Sequence, residues 1–248
     1  MNTRVTQPVR QAIVLAAGNG DRFKTPTAES KLVRPVLGVP LIVRTLESAA
    51  RAGIRHADIV LGYQAEQVRD LVLANQPDLL SVRFHLNPRW HEENGVSVLA
   101  PRDHYGDRRF AVLMADHLFD SELLQQLLST PADPEMSLLA IDRRPAPPHV
   151  ADEATRVRLD GGNRILAIDK HLDPYDALDT GLFVCAPPLF EALDASCADG
   201  DTTLSGGIRR LAARGLVRGV DIGDRVWYDI DTVADLETAE DLLRAQPA

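Results

Sequence analysis

The chain has 248 residues, of which 45% are hydrophobic and 25% are charged, a balance typical of a folded globular protein. Lys and Arg total 27 against 36 Asp and Glu, for a net charge of -9, so the chain lacks the basic excess that nucleic-acid binding requires. Its two cysteines form no CxxC pair, and no apolar run is long enough to span a bilayer. We therefore expect a cytoplasmic protein without a disulfide framework, a structural zinc site or membrane insertion.

The first part of the chain alternates predicted strands with predicted helices, which indicates a mostly parallel sheet covered by helices. Strands are predicted over residues 12–17, 58–62, 81–86, 109–115 and 135–141. Helices are predicted over residues 41–52, 65–73, 96–100 and 121–128. Gly53 is expected to cap the first helix, an Asn94-Gly95 turn to precede the third, and Asp120 or Ser121 to cap the fourth.

The pattern changes in the second part of the chain. Residues 154–159 alternate with period two and are followed by the turn 160–163 and by residues 164–168, which predicts a β-hairpin. Further strands are predicted over 182–185 and 226–230, and further helices over 189–193, 204–213 and 234–244. We therefore expect one domain over residues 1–248, with the hairpin as an added layer.

The first predicted strand opens into a Gly-rich segment, Leu15-Ala16-Ala17-Gly18-Asn19-Gly20-Asp21-Arg22. Two glycines let backbone N–H groups approach phosphate oxygens, and Arg22 and Lys31 add positive charge. A Gly-rich turn with two solvated cations explains the same residues. A dinucleotide fingerprint is not matched, because Phe23 stands where a third Gly is needed. A P-loop is not matched either, because the Gly-Lys-Ser/Thr sequence is absent.

Carboxylates follow two of the predicted strands. Asp116 ends the apolar run 110–115, at the edge where open α/β sheets bind ligands, and Asp229 and Asp231 lie two residues apart. Taken singly, each is better explained as a turn or cap residue. Together with the Gly-rich loop and a cation they indicate metal-assisted chemistry on a nucleotide, with Mg²⁺ as the ion that prefers such oxygens.

These residues carry a resemblance to a known family. The segment 15–22 followed by Lys31 resembles the LAAGxGxR…PK signature of the sugar-nucleotide pyrophosphorylase and cytidylyltransferase superfamily, and the likeness extends over nearly the whole chain. Four later segments are similar to the family's base-reading, first metal-binding, acceptor-contacting and second metal-binding stretches: Asn94-Gly95-Val96-Ser97, Asp116-His117, Asp179-Thr180-Gly181 and Tyr228-Asp229-Ile230-Asp231-Thr232. The resemblance implies a Rossmann-like nucleotidyltransferase fold of class α/β, with a mixed, mostly parallel central sheet and helices on both faces.

The resemblance also implies roles for individual residues. The implied catalytic residues are Arg22 and Lys31, and the implied Mg²⁺ ligands are Asp116 and Asp231. The implied nucleotide-binding residues are Leu15, Ala16, Ala17, Gly18, Asn19, Gly20, Asn94, Gly95, Ser97 and Ala115. The candidate acceptor-binding residues are Asp142, Glu153, Lys170, Asp179, Thr180 and Gly181. For the last group, solvated loop charge is an equal explanation of Asp142, Glu153 and Lys170. A phosphate nucleophile is already anionic, so His117 is expected to make a polar or packing contact and not to transfer a proton.

A finer resemblance concerns the substrate. Four segments look most like the cytidylyltransferase part of CTP:inositol-1-phosphate cytidylyltransferases: Asp142-Arg143-Arg144-Pro145, Glu153-Ala154-Thr155-Arg156-Val157, Asp169-Lys170 and Leu204-Ser205. This implies CMP transfer from CTP, or another NTP, to a small phosphate-bearing acceptor, best matched by inositol-1-phosphate. The product is then expected to pass to a separate CDP-alcohol phosphotransferase.

Alternatives remain open. They are a cytidylyltransferase for another phosphate or phosphonate, a hexose-1-phosphate uridylyl- or guanylyltransferase, and a nucleotide-binding regulator without catalysis. One departure from the family pattern is that Ser30 replaces the Pro before Lys31, and the loop 25–30 looks lengthened.

Overall fold

This computed structural model describes residues 8–20, 23, 29–146 and 153–245. Its strands are β1 (Gln11–Ala16), β2 (Pro35–Val36), β3 (Val39–Pro40), β4 (His56–Leu61), β5 (Ser81–Leu86), β6 (Phe110–Met114), β7 (His117–Phe119), β8 (Ser137–Asp142), β9 (Arg156–Leu159), β10 (Ile165–Asp169), β11 (Ala177–Cys185), β12 (Val217–Asp221) and β13 (Trp227–Asp229). Its α-helices are α1 (Leu41–Ala52), α2 (Ala65–Ala74), α3 (Asn94–Leu99), α4 (Ser121–Ser129), α5 (Pro188–Ala198), α6 (Leu204–Ala213) and α7 (Val233–Ala245). Single 3₁₀ turns cover Lys31–Val33 and Arg102–His104.

Most of the strands join one mixed sheet. Its order is β10-β9-β11-β6-β1-β4-β5, and β8 pairs with both β11 and β12. The centre, from β6 through β1 and β4 to β5, is parallel, whereas β11 runs antiparallel to both β6 and β8. The predicted α/β fold, with a parallel centre inside a mixed sheet, is confirmed.

Both faces of the central strands are covered. Along β1, Ile13 and Leu15 belong to one hydrophobic cluster and Val14 and Ala16 to another, and all four side chains are buried. Helix α1 packs into the second of these clusters, and α5 and α6 pack into the first. This two-sided burial is why the strand is a continuous apolar run and not an alternating one.

The predicted hairpin is present as β9 and β10. Its turn is stabilised by Asp160, whose Oδ1 accepts N–H bonds from Gly162 and Arg164, each at 2.8 Å. Asn163 takes the left-handed conformation that the turn requires. The hairpin continues the main sheet, because β9 pairs with the beginning of β11 at Val157 and Ala177.

Several local details depend on long-range contacts. The Asn94-Gly95 pair begins α3 and does not form a turn before it, so that prediction is wrong. Asn94 is held at the start of the helix because its Oδ1 accepts the N–H of Leu204 at 2.9 Å. Asp120 precedes α4, but its side chain makes no capping bond there. Its Oδ2 instead accepts the N–H of Val226 at 3.0 Å.

The sequence prediction missed four strands and shortened another. β11 spans Ala177–Cys185, whereas only 182–185 was predicted, and β2, β3, β7 and β12 were not predicted. β7 has three residues and exists through its antiparallel pairing with β13, which no local pattern reveals. Within the described ranges, no helix combines the length and the apolar character that crossing a membrane demands. The expectation of a single domain over 1–248 stays a prediction.

A buried carboxylate lies in the middle of β4. Asp58 is 6% exposed, and its oxygens accept bonds from the hydroxyl of Tyr105 at 2.8 Å and from Nε2 of His85 at 2.6 Å. The guanidinium of Arg83 lies 3.4 Å from the same carboxylate. Since a buried charge is costly unless its oxygens are hydrogen-bonded, the fully buried hydroxyl of Tyr105 stabilises the fold.

We expect Tyr105→Phe to lower the free energy of unfolding by about 1–3 kcal/mol, because the Asp58 carboxylate loses a buried donor. Denaturant unfolding followed by circular dichroism measures this change. Tyr175→Phe, at an exposed position, is the matched control and should change the free energy by less than about 0.5 kcal/mol. Equal effects of the two substitutions would contradict the assignment.

Candidate active site

The Gly-rich loop follows the carboxyl end of β1, as the sequence predicts. The backbone oxygen of Ala17 accepts the N–H of Tyr63 at 3.0 Å, so the loop is tied to the end of β4. A Cβ at Gly18 would meet no atom within 4 Å, whereas a Cβ at Gly20 would lie 3.1 Å from Cδ of Lys31. The loop is therefore open at Gly18 and packs on the lysine stem at Gly20. Arg22, the other implied catalytic residue, lies outside the described residues, as does the loop 24–28.

Lys31 stands at the start of a single 3₁₀ turn. Ser30 caps this turn through its Oγ, which accepts the N–H of Leu32 at 3.3 Å. The backbone N–H of Ser30 donates to Oε1 of Gln67 in α2 at 3.0 Å. The serine that replaces the family's proline thus caps the turn. Its backbone N–H, which a proline would lack, anchors the turn to the neighbouring helix.

The ammonium of Lys31 is enclosed by three acceptors. Nζ lies 2.8 Å from Oδ2 of Asp116, 3.1 Å from Oδ1 of Asp231 and 3.1 Å from the backbone oxygen of Ile230. An ammonium has three N–H donors, so these contacts use all of them. Burial by itself lowers the pKa of Lys31, but Asp116 and Asp231 outweigh it and hold that pKa above its ordinary value. The lysine is therefore charged, and it marks a point where two carboxylates converge on one cation.

A short two-stranded ribbon brings the carboxylates together. Pairing of β7 with β13 places His117 opposite Asp229, and the backbone N–H of Ile230 donates to the backbone oxygen of Asp116 at 3.2 Å. The segment after β13 is held by Asp235, whose Oδ2 accepts the N–H of Asp231 at 3.0 Å. Two chain segments that are more than 100 residues apart thus form one acidic cluster.

His117 lies between these carboxylates and β11. Its Nδ1 is 2.9 Å from the backbone oxygen of Thr180, and its Nε2 is 3.4 Å from Oδ1 of Asp229 and 3.8 Å from Oδ1 of Asp116. Burial lowers the pKa of His117, but the charge of Asp229, its contact with the ring and the charge of Asp116 raise that pKa to about 10. The expected polar contact is confirmed by this geometry.

Asp229 also lies in this cluster, although the family resemblance implied only Asp116 and Asp231 as Mg²⁺ ligands. Asp116, His117 and Asp229 each offer a ligand atom within 4.8 Å of the others. Burial raises the pKa of Asp229, yet His117 and Lys31 bring that pKa well below its usual range. Within the described part of the chain, the buried Oδ1 of Asp229 has no hydrogen-bond partner, and the ion pair with His117 is its nearest counter-charge.

The residues proposed for base reading are packed against α6. Ser97 is buried, and its Oγ accepts a bond from Nδ2 of Asn87 at 3.0 Å. Asn94 uses its side-chain oxygen on Leu204, as described above. A Cβ at Gly95 would lie 2.6 Å from the backbone oxygen of Thr202, so only glycine fits there. Asn87 was missed from the sequence, although it is a polar residue directly after a strand.

Ala115 and Leu15 are neighbours in the sheet. The N–H of Ala115 donates to the backbone oxygen of Leu15 at 3.1 Å, and the oxygen of Ala115 accepts the hydroxyl of Thr45 at 3.2 Å. The structure therefore places the end of β6 beside the start of the Gly-rich loop. This adjacency is the one that the sequence pattern implies.

Among the acceptor candidates, Asp142 is already engaged. Its carboxylate accepts two bonds from the side chain of Arg144, at 2.9 and 2.7 Å, and one from Nε1 of Trp227 at 2.8 Å. Burial raises the pKa of Asp142, but the bonds from Arg144 and Trp227 lower it more. Asp142 therefore holds Arg144 and Trp227 in place, and neither of these two was singled out from the sequence.

The residues of the stretch 179–181 in β11 differ in their burial and in their hydrogen bonds. Burial raises the pKa of Asp179 to about 6, more than its bond from the N–H of Gly181 lowers it. Thr180 is fully buried, and its hydroxyl donates to the backbone oxygen of Ala140 at 2.9 Å. Glu153 and Lys170 are exposed beside the hairpin. Neither belongs to the cluster formed by Lys31, Asp116, His117, Asp229 and Asp231.

Comparison with known proteins decides the family. The profile of the MobA-like NTP transferase domain matches residues 12–175. The chain belongs to the MobA-like NTP transferase domain family. The predicted nucleotidyltransferase superfamily is thereby confirmed.

Two curated relatives and two solved structures bear on the finer resemblance. A bifunctional IPC transferase and DIPP synthase of Rubrobacter xylanophilus is 36% identical over 94% of this chain and 51% of its own length. A CMP-5'-(3-aminopropyl)phosphonate synthase of Streptomyces rubellomurinus is 30% identical over 94% of this chain and 38% of its own length. The chain thus spans about half the length, or less, of these relatives.

The solved structures confirm the fold. The inositol-1-phosphate CTP transferase from T. maritima superposes with a TM-score of 0.82 at 22% identity, covering 98% of this chain and 99% of that one. A UDP-glucose pyrophosphorylase from Acinetobacter baumanii superposes with a TM-score of 0.79 at 18% identity, covering 94% and 92%. Nucleotidyltransferases that are named for different substrates therefore share this architecture.

The enclosed position of Lys31 generates a prediction. Lys31→Met keeps the apolar stem but removes the charge that neutralises Asp116 and Asp231. We expect Mn²⁺ to bind the nucleotide-free variant at least about tenfold more tightly than the parent protein, because unneutralised carboxylates attract a dication more strongly. Electron paramagnetic resonance of free Mn²⁺ measures the affinity.

The control for this measurement is Arg69→Met, which removes a cation from an exposed position on α2. It should leave Mn²⁺ affinity unchanged. An unaltered affinity in Lys31→Met would show that the ammonium does not compete with a metal for these carboxylates.

Proposed function

We propose that the chain transfers CMP from CTP to a small phosphate monoester, best matched by inositol-1-phosphate, and releases pyrophosphate. The observation that carries the proposal is the convergence of Asp116 and Asp231 on the ammonium of Lys31, beside the Gly-rich loop and inside a MobA-like NTP transferase domain. The names of the relatives support CTP as the nucleotide and inositol-1-phosphate as the acceptor.

In the proposed reaction an acceptor phosphate oxygen bonds to the α-phosphorus, and the bond from that phosphorus to the bridging oxygen of the β-phosphate breaks. Such transfer needs in-line positioning and neutralisation of charge. Backbone N–H groups of residues 15–20 hold the nucleotide, and Lys31 turns from its carboxylates to lie between the α-phosphate and the acceptor phosphate. Arg22 binds the leaving pyrophosphate. No residue has to act as a general base, since the attacking oxygen is already ionised.

The acidic cluster fits a divalent cation. Asp116 and Asp231 already direct oxygens at one cationic atom, 2.8 and 3.1 Å away. Nδ1 of His117 is used on the backbone oxygen of Thr180, and its Nε2 lies nearer to Asp229, at 3.4 Å, than to Asp116, at 3.8 Å. We therefore assign Mg²⁺ to Asp116 and Asp231, with Asp229 as the counter-ion of His117. When bound, Mg²⁺ neutralises the α-phosphate and stabilises the leaving group.

The acceptor subsite is proposed at Asp142, Glu153, Lys170, Asp179, Thr180 and Gly181. Asp179 offers carboxyl oxygens that can accept hydrogen bonds from the hydroxyls of a polyol. Asp142 holds the side chain of Arg144 in place. The backbone of Thr180 and Gly181 forms part of the wall of the proposed subsite. A phosphonate acceptor is the second candidate, because one relative is named as a CMP-phosphonate synthase. We further propose that the protein works in the cytoplasm and supplies a CDP-alcohol phosphotransferase.

The test of this function is pyrophosphate release with Mg²⁺ in a grid of substrates. The nucleotides are CTP, UTP, GTP, ATP and dTTP, and the acceptors are inositol-1-phosphate, choline phosphate, glycerol-3-phosphate, hexose-1-phosphates and simple phosphonates. We expect turnover with CTP and inositol-1-phosphate, and a loss of several orders of magnitude in kcat for Lys31→Ala. Turnover with CTP and a phosphonate, but not with inositol-1-phosphate, would show that the acceptor is a phosphonate. CTP binding without pyrophosphate release from any pair would favour the non-catalytic regulator.

A second prediction separates the carboxylates. Asp116→Asn and Asp231→Asn should each raise the Mg²⁺ concentration for half-maximal activity by about tenfold or more, since each removes a charged ligand. Asp229→Asn should raise it less, because Asp229 faces His117. Mg²⁺ titration of initial rates gives these values, and a larger effect of Asp229→Asn than of Asp231→Asn would reassign the second ligand to Asp229.

A further inference from the structure

We infer that His117 is a positioning residue, which aligns the acceptor-binding part of β11 with the carboxylates beside the reacting phosphates. This inference rests on the proposed function and deepens it. The imidazole is the one side chain described above that contacts both Asp229 of the acidic cluster and Thr180 of the predicted acceptor stretch. It is 12% exposed, so its position is set by its neighbours and not by solvent.

The first observation is the bond between the ring and β11. The backbone oxygen of Thr180 is only an acceptor, so Nδ1 of His117 must donate to it across 2.9 Å. This fixes the ring orientation and directs Nε2 toward Asp229 and Asp116. One ring therefore links the two halves of the proposed site.

The second observation is the shape of β11 around the ring. Gly181 has a φ of +75°, in the left-handed region, and a Cβ built on it would lie 2.4 Å from Cε1 and 2.6 Å from Nδ1 of His117. The backbone of residue 181 is thus in direct contact with the imidazole, and only glycine allows both the conformation and the contact.

The third observation is a break in the register of β11. Its pairing with β8 shifts between Asp179 and Phe183, so the ordinary ladder does not determine the backbone there. Two other bonds hold the segment: the hydroxyl of Thr180 on Ala140 at 2.9 Å and the N–H of Gly181 on Asp179 at 2.7 Å. Both lie within β8 and β11. Of these three bonds, only the one from His117 connects the irregular segment to the acidic cluster.

It follows that His117 sets the distance between bound acceptor and nucleotide. A displacement of reacting groups by about 1 Å can lower a rate by about a hundredfold. The residue need not touch either substrate for this effect. Its loss should therefore lower kcat and raise the KM of the acceptor, because the acceptor stretch of β11 is displaced, with the KM of CTP preserved.

Three substitutions remove the two contacts of the ring, either one at a time or together. His117→Asn retains an N–H near the position of Nδ1 but has nothing at Nε2. His117→Gln reaches toward Nε2 but loses the donor to Thr180. His117→Phe keeps the volume of the ring and loses both contacts. His56→Phe, at an exposed position at the start of β4, is the matched control at the opposite end of the strand from the site.

The experiment first establishes turnover of the parent protein with CTP and the best acceptor of the substrate grid, so that failure of the proposed function is seen separately. Steady-state rates then give KM for each substrate and the Mg²⁺ concentration for half-maximal activity. We expect His117→Phe and His117→Gln to raise the acceptor KM about tenfold and to lower kcat, because the irregular segment of β11 loses its bond to the ring. We expect His117→Asn to stay within about twofold of the parent protein for that constant while shifting its Mg²⁺ requirement.

Thermal unfolding of every variant shows whether the fold survives, and His117→Asn keeps the test available if His117→Phe does not fold. An acceptor KM within twofold of the parent value in both His117→Gln and His117→Phe would overturn the inference. Equal increases in the KM of CTP and of the acceptor would also overturn it, because they would indicate a merely structural role.

Discussion

The arrangement of the site depends on one ion cluster, in which the buried ammonium of Lys31 is shared by Asp116 and Asp231. Like charges cannot be brought this close without a cation between them. The lysine therefore holds the turn after the Gly-rich loop, the end of β6 and the segment after β13 together. In the proposed reaction, a nucleotide that draws the lysine away brings a divalent cation in exchange.

The fold makes this cluster possible by combining two kinds of strand pairing. The parallel centre brings the ends of β1 and β6 to one edge, as open α/β sheets do. The short antiparallel ribbon of β7 and β13 then adds residues from the far end of the chain to the same edge. The candidate site is thus formed by residues from the first, middle and last parts of the sequence. The hydrophobic clusters on both faces of the sheet hold its strands together.

The sequence allowed the strands and helices with strong periodicity to be predicted, among them α1, β5 and α6 with the same bounds as observed. It also indicated Asp116, which ends an apolar strand, and the family resemblance implied Lys31 and Asp231. It did not indicate the bond from Trp227 to Asp142, or the strand β7. These features rest on contacts between residues that are distant in the chain, and a local pattern carries no information about such contacts.

The contact between His117 and Gly181 has a consequence for sequence change. The imidazole occupies the space into which any other side chain at position 181 would extend. A side chain at 181 would therefore have to displace the imidazole and also adopt a left-handed backbone conformation. Positions 117 and 181, which are 64 residues apart, thus form a steric pair, so that a change at 181 also moves the ring that holds the proposed acceptor stretch of β11.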